Sequence, residues 1–421
     1  MAQIRDNAGM STAHAQHYDI VISGAGMVGL AMAGALADSG LSVALIDPQT
    51  PQDSLQSFLD TRTLADFDSR VSALTPASQA FLDRIGAWPL IEDVRVCPYY
   101  DMRVWEADGT GAIHFNADEL HVPCLGHIVE NRLVTAALAT VLATKDNTSF
   151  LTGKGLTDLE AGPEGDYRIL HLTDGTTLSC GLLIGADGAR SKVRELVGFR
   201  TRNWHYNHHA LVCTVNSEAP HQHTAWQRFM TTGPVACLPL FLPGQETQHY
   251  SSIVWSCEPA MAVELQAASA PTFATRLAGA LEHRLGAFSQ VSKLHSFPLH
   301  QQHATQYVRN GIALVGDAAH TIHPLAGQGV NLGLADVTCL DRVIRAALAR
   351  GEPWSCEQVL SRYQRERKPA NLGMMLGMEG FKRAFGSNDL LLRWLRNTGL
   401  KLADRVSPLK HELVQRAMGI K

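Results

Sequence analysis

The chain has 421 residues, 45% hydrophobic and 18% charged, with a formal net charge of -4. This composition excludes a disordered or collagen-like chain and predicts two or three globular units, large enough to fold without disulfide or metal staples. A near-neutral balance supplies no basic field for phosphates, so no nucleic acid is expected as partner.

Residues 1–16 are polar and predict a disordered extension rather than a secretory leader. Tyr18-Asp19-Ile20-Val21-Ile22-Ser23 predicts a buried strand running into Gly24. Residues 27–39 predict a helix of small and apolar side chains stopped by Gly40, and 41–47 a second strand. Strand, glycine turn, helix and strand form a βαβ unit, so the fold class is α/β with a Rossmann-like parallel sheet. Residues 48–69 read as loop and 71–85 as helix; 97–122 break into short strands separated by turns. A helix is expected over 131–143, followed by a hairpin turning at Asp174-Gly175. Residues 182–188 are again strand into turn, 205–300 contain further alternating strands, among them Ala210 to Val215, Ala236 to Leu240 and Ser252 to Trp255, and Ile312-Ala313-Leu314-Val315 runs into Gly316-Asp317. Beyond that point the pattern is helical.

An interleaved assembly follows. A nucleotide-binding domain collects 17–90, 125–200 and 300–350; a β-rich domain is inserted as 91–124 and 201–299; residues 351–421 form a C-terminal helical region. The eight cysteines are dispersed without a C-x-x-C pair and predict buried free thiols in a reducing, cytoplasmic setting. No apolar run is long enough to span a bilayer.

Three segments carry chemistry. In Gly24-x-Gly26-x-x-Gly29, the first glycine permits a tight turn, the second lets backbone approach a pyrophosphate, and the third lets helix lie close on strand. Asp47 lies 23 positions after Gly24, at the end of the second strand, where a carboxylate can accept from a ribose. Gly185-Ala186-Asp187-Gly188 with Arg190-Ser191 suits a nucleotide contact and equally suits a turn with a helix N-cap. The third segment, Gly316 to Gly333, places Asp317 after a buried strand for a ribitol or ribose hydroxyl. Its Gly327, Gly329 and Gly333 leave backbone bare around a helix start. His320 and His323 lack the further ligands a metal would need, so no metal is expected.

Together Gly24-Ala25-Gly26-Met27-Val28-Gly29, Gly185-Ala186-Asp187-Gly188 and Gly316-Asp317-Ala318-Ala319-His320 resemble the three motifs of single-component flavoprotein aromatic hydroxylases. The resemblance implies that the first binds the ADP half of FAD, that the second serves FAD and NAD(P)H, and that the third holds ribitol and flavin. Arg70-Val71-Ser72-Ala73-Leu74, the stretch Leu125 to Asn131, and the run Thr321 to Asn331 are similar to the ubiquinone-biosynthesis hydroxylases. Four stretches are most similar to the polyprenylphenol-hydroxylating branch: Tyr206 to Val212, Ser252 to Ser256, Gly399 to Asp404 and Arg416 to Gly419. The resemblance adds Arg70, Asn131 and Asn331 to the cofactor-binding set; one departure is Asn131, where many aromatic hydroxylases carry arginine.

What the resemblance implies is a monooxygenase of the aromatic-hydroxylase type, with FAD, O2 and NAD(P)H and a flavin C4a-hydroperoxide attacking a polyprenylphenol ring. A later ring hydroxylation of the same pathway is the alternative within enzymes, and a non-catalytic lipid-handling subunit the alternative outside them. No catalytic base is legible. In the β-rich domain Trp226, Phe229, Leu238, Leu240, Phe241 and Trp255 suit an apolar tunnel and suit an ordinary sheet core. Residues 372–421 hold nine Lys and Arg against four Asp and Glu, beside Met374, Met375, Met378, Phe381, Phe385 and Trp394. Such a stretch suits a membrane surface, a partner in a biosynthetic complex, or packing on the domain itself.

Overall fold

The computed structural model describes residues 16–50, 53–59, 63–106, 111–163, 165–322 and 329–386. Residues 1–15 of the expected extension 1–16, Gly327, and the C-terminal stretch from 387 onward lie outside the described residues, and Gln16, the last residue of that extension, instead opens the first strand. Two large sheets and one small one organise these residues.

The first sheet grows around the strand Gln16–Ser23, which pairs in parallel with Thr177–Gly185 on one side and Val43–Asp47 on the other. Thr148–Thr152 extends it beyond Val43–Asp47, and Ile312–Leu314 lies in parallel beyond Thr177–Gly185. Helices cover a parallel sheet on its faces, so its inner strands are apolar throughout: Ile20, Val21, Ile22, Leu45 and Ile184 are all buried. The helices Met27–Leu36, Asn131–Leu142 and Gly329–Ala349 pack together in this layer. The expected hairpin is present as Arg168–Leu172 antiparallel to Thr177–Gly185.

The second sheet has nine strands among the described residues and is centred on the long strand Thr201–Ser217. That strand lies antiparallel between His295–Ala304 and Tyr250–Cys257. Alternation sorts its side chains. One face sends Trp255, Leu211 and Cys237 against Phe273 and Leu277 of the helix Ala270–Ala280. The other face sends Ala225, Ala236 and Leu238 toward Val71, Ala73, Cys97 and Ile128. Those four belong to the small sheet formed by Val71–Leu74, Gly126–Glu130 and Cys97–Tyr99.

One local expectation changes. Residues 71–85 do not form a single helix: Val71–Leu74 is a strand antiparallel to Gly126–Glu130, and the helix begins only at Pro76. Thr75 caps it, its side chain accepting from the Ser78 N–H, and Pro76 fits the first turn, where no amide donor is needed. The eight cysteines are unpaired, and all but Cys356 are buried. No helix among the described residues is long and apolar enough to cross a membrane.

Candidate active site

The parallel sheet delivers its strand ends, Ser23, Asp47 and Gly185, to one edge, where crossover turns leave backbone free for ligands. Gly24 sits there at φ +113°, and a Cβ on it would come within 2.4 Å of the Ala186 carbonyl oxygen. A Cβ on Gly29 would lie 1.8 Å from the Gly24 oxygen, so only glycine lets the helix and the turn touch. Around Gly26 the picture reverses, for a Cβ there would meet nothing within 4 Å. The first and last glycines close the scaffold, and the middle one faces open space at the amino end of the helix Met27–Leu36.

Asp47 stands beside this turn. One of its carboxylate oxygens accepts from the Ala25 N–H at 2.7 Å, and the other from the Gln49 N–H at 2.7 Å. Two acceptor oxygens offer about four lone-pair positions, which leaves capacity for a hydroxyl.

Asp187 caps the short helix Lys192–Val197 with Oδ2, accepting from the N–H groups of Lys192 at 2.7 Å and Val193 at 3.1 Å. The N-cap reading of this segment is therefore correct. Yet Oδ1 of the same carboxylate is buried without a hydrogen-bond partner among the described residues. Burial pushes Asp187 above the usual carboxylate range, against the pull of Ser191 and the helix N–H groups. Gly188 follows at φ +76°.

The third segment meets the first through Val28. A Cβ on Gly333 would lie 2.6 Å from a Val28 methyl, and one on Gly316, at φ +59°, 3.1 Å from it. Asp317 is exposed to solvent, with many protein atoms packed around its carboxyl. This crowding raises its carboxyl above the usual range, while the nearby charges of His320, Arg70 and His300 pull it down. Arg70, 247 positions earlier in the chain, is thereby brought to the third segment. Asn131 sits against Arg70: its N–H donates to the Arg70 carbonyl at 3.0 Å, and its side-chain oxygen accepts from Ser72 at 2.6 Å. Gly329 begins the helix Gly329–Ala349. Asn331 on that helix accepts from the Thr75 N–H at 3.1 Å and the Ser78 hydroxyl at 2.7 Å, and donates to the Ala73 carbonyl at 2.8 Å. Its side chain staples the helix start to the small sheet.

Two buried polar devices hold these pieces, and neither stands out in the sequence. Asp336, fully buried, accepts from the Gly316 N–H at 3.1 Å, His320 Nε2 at 2.5 Å, Arg367 Nε at 2.8 Å and Asn371 Nδ2 at 3.1 Å. Burial alone raises such a carboxyl, but His320 and Arg367 outweigh it and hold Asp336 below the ordinary range. The network continues from Asn371 to the Tyr307 hydroxyl and on to His303. In the second device, Arg194 donates to the carbonyls of Ala318 at 2.9 Å and Ala189 at 2.7 Å, tying the second segment to the third. The loop carrying Arg70 is anchored separately: Glu130 accepts from the Asp68 N–H at 2.6 Å and pairs in a fully buried salt bridge with Arg95.

A cavity opens between the small sheet and the nine-stranded sheet, lined by Ala73, Tyr99, Met102, Ile128, Ala225, Trp226, Gln227, Ala236 and Leu238. Ala73, whose carbonyl Asn331 holds, is common to this cavity and to the edge of the three-segment site. Of the expected tunnel residues, Trp226 and Leu238 line it, whereas Trp255 packs in the core on the opposite face of the sheet.

The profile of the FAD binding domain family matches residues 17–375. A 3-demethoxyubiquinol 3-hydroxylase of Escherichia coli is 37% identical to the chain, covering 96% of it and 99% of that protein. The mitochondrial ubiquinone biosynthesis monooxygenase COQ6 of Xenopus tropicalis is 35% identical over 94% of this chain and 92% of that one. Among solved structures, p-nitrophenol 4-monooxygenase of Pseudomonas putida superposes with a TM-score of 0.73 at 18% identity, over 95% of this chain and 97% of that one, a likeness of fold. The residues present fit FAD: an open backbone at Gly26 for a pyrophosphate, spare acceptor capacity on Asp47, and an orphaned Asp187 oxygen and an accessible Asp317 that can each take a hydroxyl. A whole-length match to named hydroxylases and a site shaped for this dinucleotide make the chain a flavoprotein monooxygenase of the ubiquinone-biosynthesis hydroxylase family.

Proposed function

We propose that this enzyme hydroxylates the aromatic ring of a polyprenylphenol on the route to ubiquinone, using FAD, O2 and NAD(P)H. The observation that supports it most is the adjacency of two environments. A polar, three-segment dinucleotide site and an apolar cavity share Ala73, and Asn331 fixes the distance between them.

In this reading the Gly24–Gly29 turn seats the pyrophosphate, and Asp47 accepts from the adenosine ribose. Asp187 and Gly188 bound the cleft on the second side. Gly316 and Asp317 take the ribitol, with Arg70 supplying positive charge beside them. Gly329 opens the helix start that faces the ring system. Asn131 and Asn331 act by holding Arg70 and the small sheet in place, since their side-chain oxygens are already engaged. When bound, FAD supplies the activation of O2 and the transfer of one oxygen atom to the ring. The chain contributes orientation and a dry wall: Met102, Ile128 and Leu238 leave bulk water little to bond to beside the ring. A polyprenyl tail partitions into lipid, so contact with a membrane surface and membership of a biosynthetic complex belong to the same reading.

The Escherichia coli relative favours a second reading, in which the ring is a demethoxyubiquinol rather than an early phenol. One experiment separates them. Purified, flavin-loaded enzyme is given NAD(P)H, air and either a short-chain 2-prenylphenol or a short-chain demethoxyubiquinol, and products are identified by mass. Addition of one oxygen to the first substrate supports the proposal, and addition only to the second supports the alternative. A product that has gained hydrogens, or no product from either, overturns both.

A further inference from the structure

The strands Thr201–Ser217 and His295–Ala304 pair into a ribbon toward one end of the nine-stranded sheet. The chain carries 40 acidic residues among 421, yet none falls in 196–217 or in 283–316, the two stretches that supply this ribbon. Arg200, Arg202, Arg284, Lys293 and Arg309 do fall there. Arg200, Arg202 and Lys293 are exposed, and their side chains make no salt bridge or hydrogen bond among the described residues. The helix Pro259–Ala267, which packs on both strands, brings Glu258 at its N-cap and Glu264, the latter already paired with Arg276. Strand pairing puts Arg202, Trp204 and Phe297 on one side of the ribbon: they face His303, Gln301 and Ala210, and alternate residues of a strand share a face. Trp204 is 42% and Phe297 39% exposed. The register slips between His205 and His208, with Asn207 at φ +48°. A bulge of this kind bends a strand, and this one lies between the exposed Trp204 and the buried Ala210.

Sheet edges are ordinarily guarded by charge and kept clear of large apolar side chains. On the outer side of His295–Ala304 the strand His320–Thr321 covers only Gln302 and His303. The charge along this edge has one sign, and an indole and a phenyl ring stand exposed beside it. Aromatic side chains at headgroup depth, flanked by Lys and Arg, are how proteins rest on anionic membranes. The same side of the sheet leads inward through apolar groups. Leu299, Ala210 and Val212 cluster with Val254, which also packs against the cluster holding Ala236 and Leu238 of the cavity wall. We infer that this ribbon face, through Arg200, Arg202, Lys293, Trp204 and Phe297, rests on an anionic lipid surface and meets the lipophilic tail of the substrate there. The inference rests on the ring-hydroxylation reading, whose substrate resides in lipid. It assigns the contact to the folded sheet rather than to the basic stretch 372–421. An acidic protein would also answer the cations, but it has no use for an apolar path inward.

The test uses the full-length, flavin-loaded enzyme and its sedimentation with vesicles of phosphatidylcholine, alone or mixed with phosphatidylglycerol. Wild type is expected to bind the mixed vesicles more tightly, with an affinity that falls as salt rises. Arg202→Gln combined with Lys293→Gln should weaken binding to the mixed vesicles about 30-fold and leave binding to phosphatidylcholine as it was. Trp204→Ser combined with Phe297→Ser should weaken binding to both kinds of vesicle, by about tenfold. Leu376→Ser, which removes a 70% exposed side chain from the helix Glu357–Gly386, should change neither. Because the four ribbon side chains are exposed, the variants should keep the wild-type melting temperature and its turnover of a detergent-dispersed short-chain 2-prenylphenol. If the serine pair melts lower, the charge pair decides alone. Undiminished binding by the charge pair, or loss of binding with Leu376→Ser, overturns the inference. A wild type that ignores both kinds of vesicle also overturns it, and leaves the cations to an acidic protein. Failure of the function reading looks different: vesicle binding and its loss follow the ribbon, while the dispersed phenol yields no oxygenated product.

Discussion

Replacing Asp336 by Asn tests whether the buried network beneath Gly316 shapes the flavin site. Four donors converge on this carboxylate, one of them the Arg367 guanidinium, which is itself largely buried. Asn keeps the shape but turns one oxygen into an NH2 group. That group must face either Gly316 and His320 or Arg367 and Asn371, so two acceptor contacts become donor against donor. Each hydrogen bond to a charged group contributes about 1.5–3 kcal/mol, and breaking a buried ion pair on one side costs about 3–5 kcal/mol. The expected loss is therefore about 3–5 kcal/mol in urea unfolding of the apoprotein. FAD affinity should fall as well, because the Gly316 N–H loses its anchor while no atom that would touch FAD has changed. Arg367→Met should cost a similar amount, and the double variant less than the sum, since the second change removes a charge already stranded. A loss below about 1 kcal/mol for Asp336→Asn, or additive losses in the double variant, would refute this account of the network.

Further outcomes follow from the same geometry. Gly29→Ala and Gly26→Ala should separate fold from ligand: the first drives a methyl into the Gly24 carbonyl and destabilises the apoprotein, whereas the second fits the free chain and weakens only FAD binding. Differential scanning fluorimetry with and without FAD reads both, and equal loss of apoprotein stability would contradict the distinction. Arg95→Met should cost about 3–5 kcal/mol by stranding the buried Glu130 carboxylate, measured by urea unfolding. Stability should also fall on mild acidification. Burial depresses His127, His221 and His303 to about 4, so the folded protein keeps them neutral while the unfolded chain takes up protons below pH 6.5. The contribution is complete above pH 6.5 and is lost as pH falls toward 4, by about 3 kcal/mol each for His127 and His221. His127→Gln should flatten the unfolding free energy across that window, and an unchanged slope would remove His127 from the argument.

Much of the architecture could be read from local chemistry, because a few positions admit no alternative. The two apolar strands around Gly24 and Asp47 are buried on both faces, and such strands are continuous apolar runs. The helix expected at 131–143 appears as Asn131–Leu142, and the hairpin at Asp174-Gly175 is present. The strand Val71–Leu74 was missed because four residues give no period, and the helix from Pro76 continues its apolar pattern. The Asp336 network was hidden for another reason. Arg367 and Asn371, one turn apart on a polar helix, look like a solvated face until the fold buries them. A signal did exist: Asp336 and Asp341 interrupt the apolar stripe Leu334, Val337, Leu340 and Ile344 of the helix Gly329–Ala349, and a charge on a buried stripe demands a partner. The placement of Gln227 depends on which face of a strand meets a second sheet, which one strand's sequence does not contain.

The strand Gln16–Ser23 is made long before its pairing is complete. Gln16–Ser23 finds one neighbour at residue 43 but must wait for Thr177–Gly185 to gain the other, and the network that fixes Gly316 closes only with Asn371. The glycine turn is thus synthesised early but becomes part of a finished dinucleotide site only when nearly the whole chain has emerged. Non-local closure of this kind is slow and leaves apolar strand edges open meanwhile. Cofactor loading must then be a late event, and a chain truncated before the Glu357–Gly386 helix would carry every glycine of the fingerprint and still fail to retain FAD.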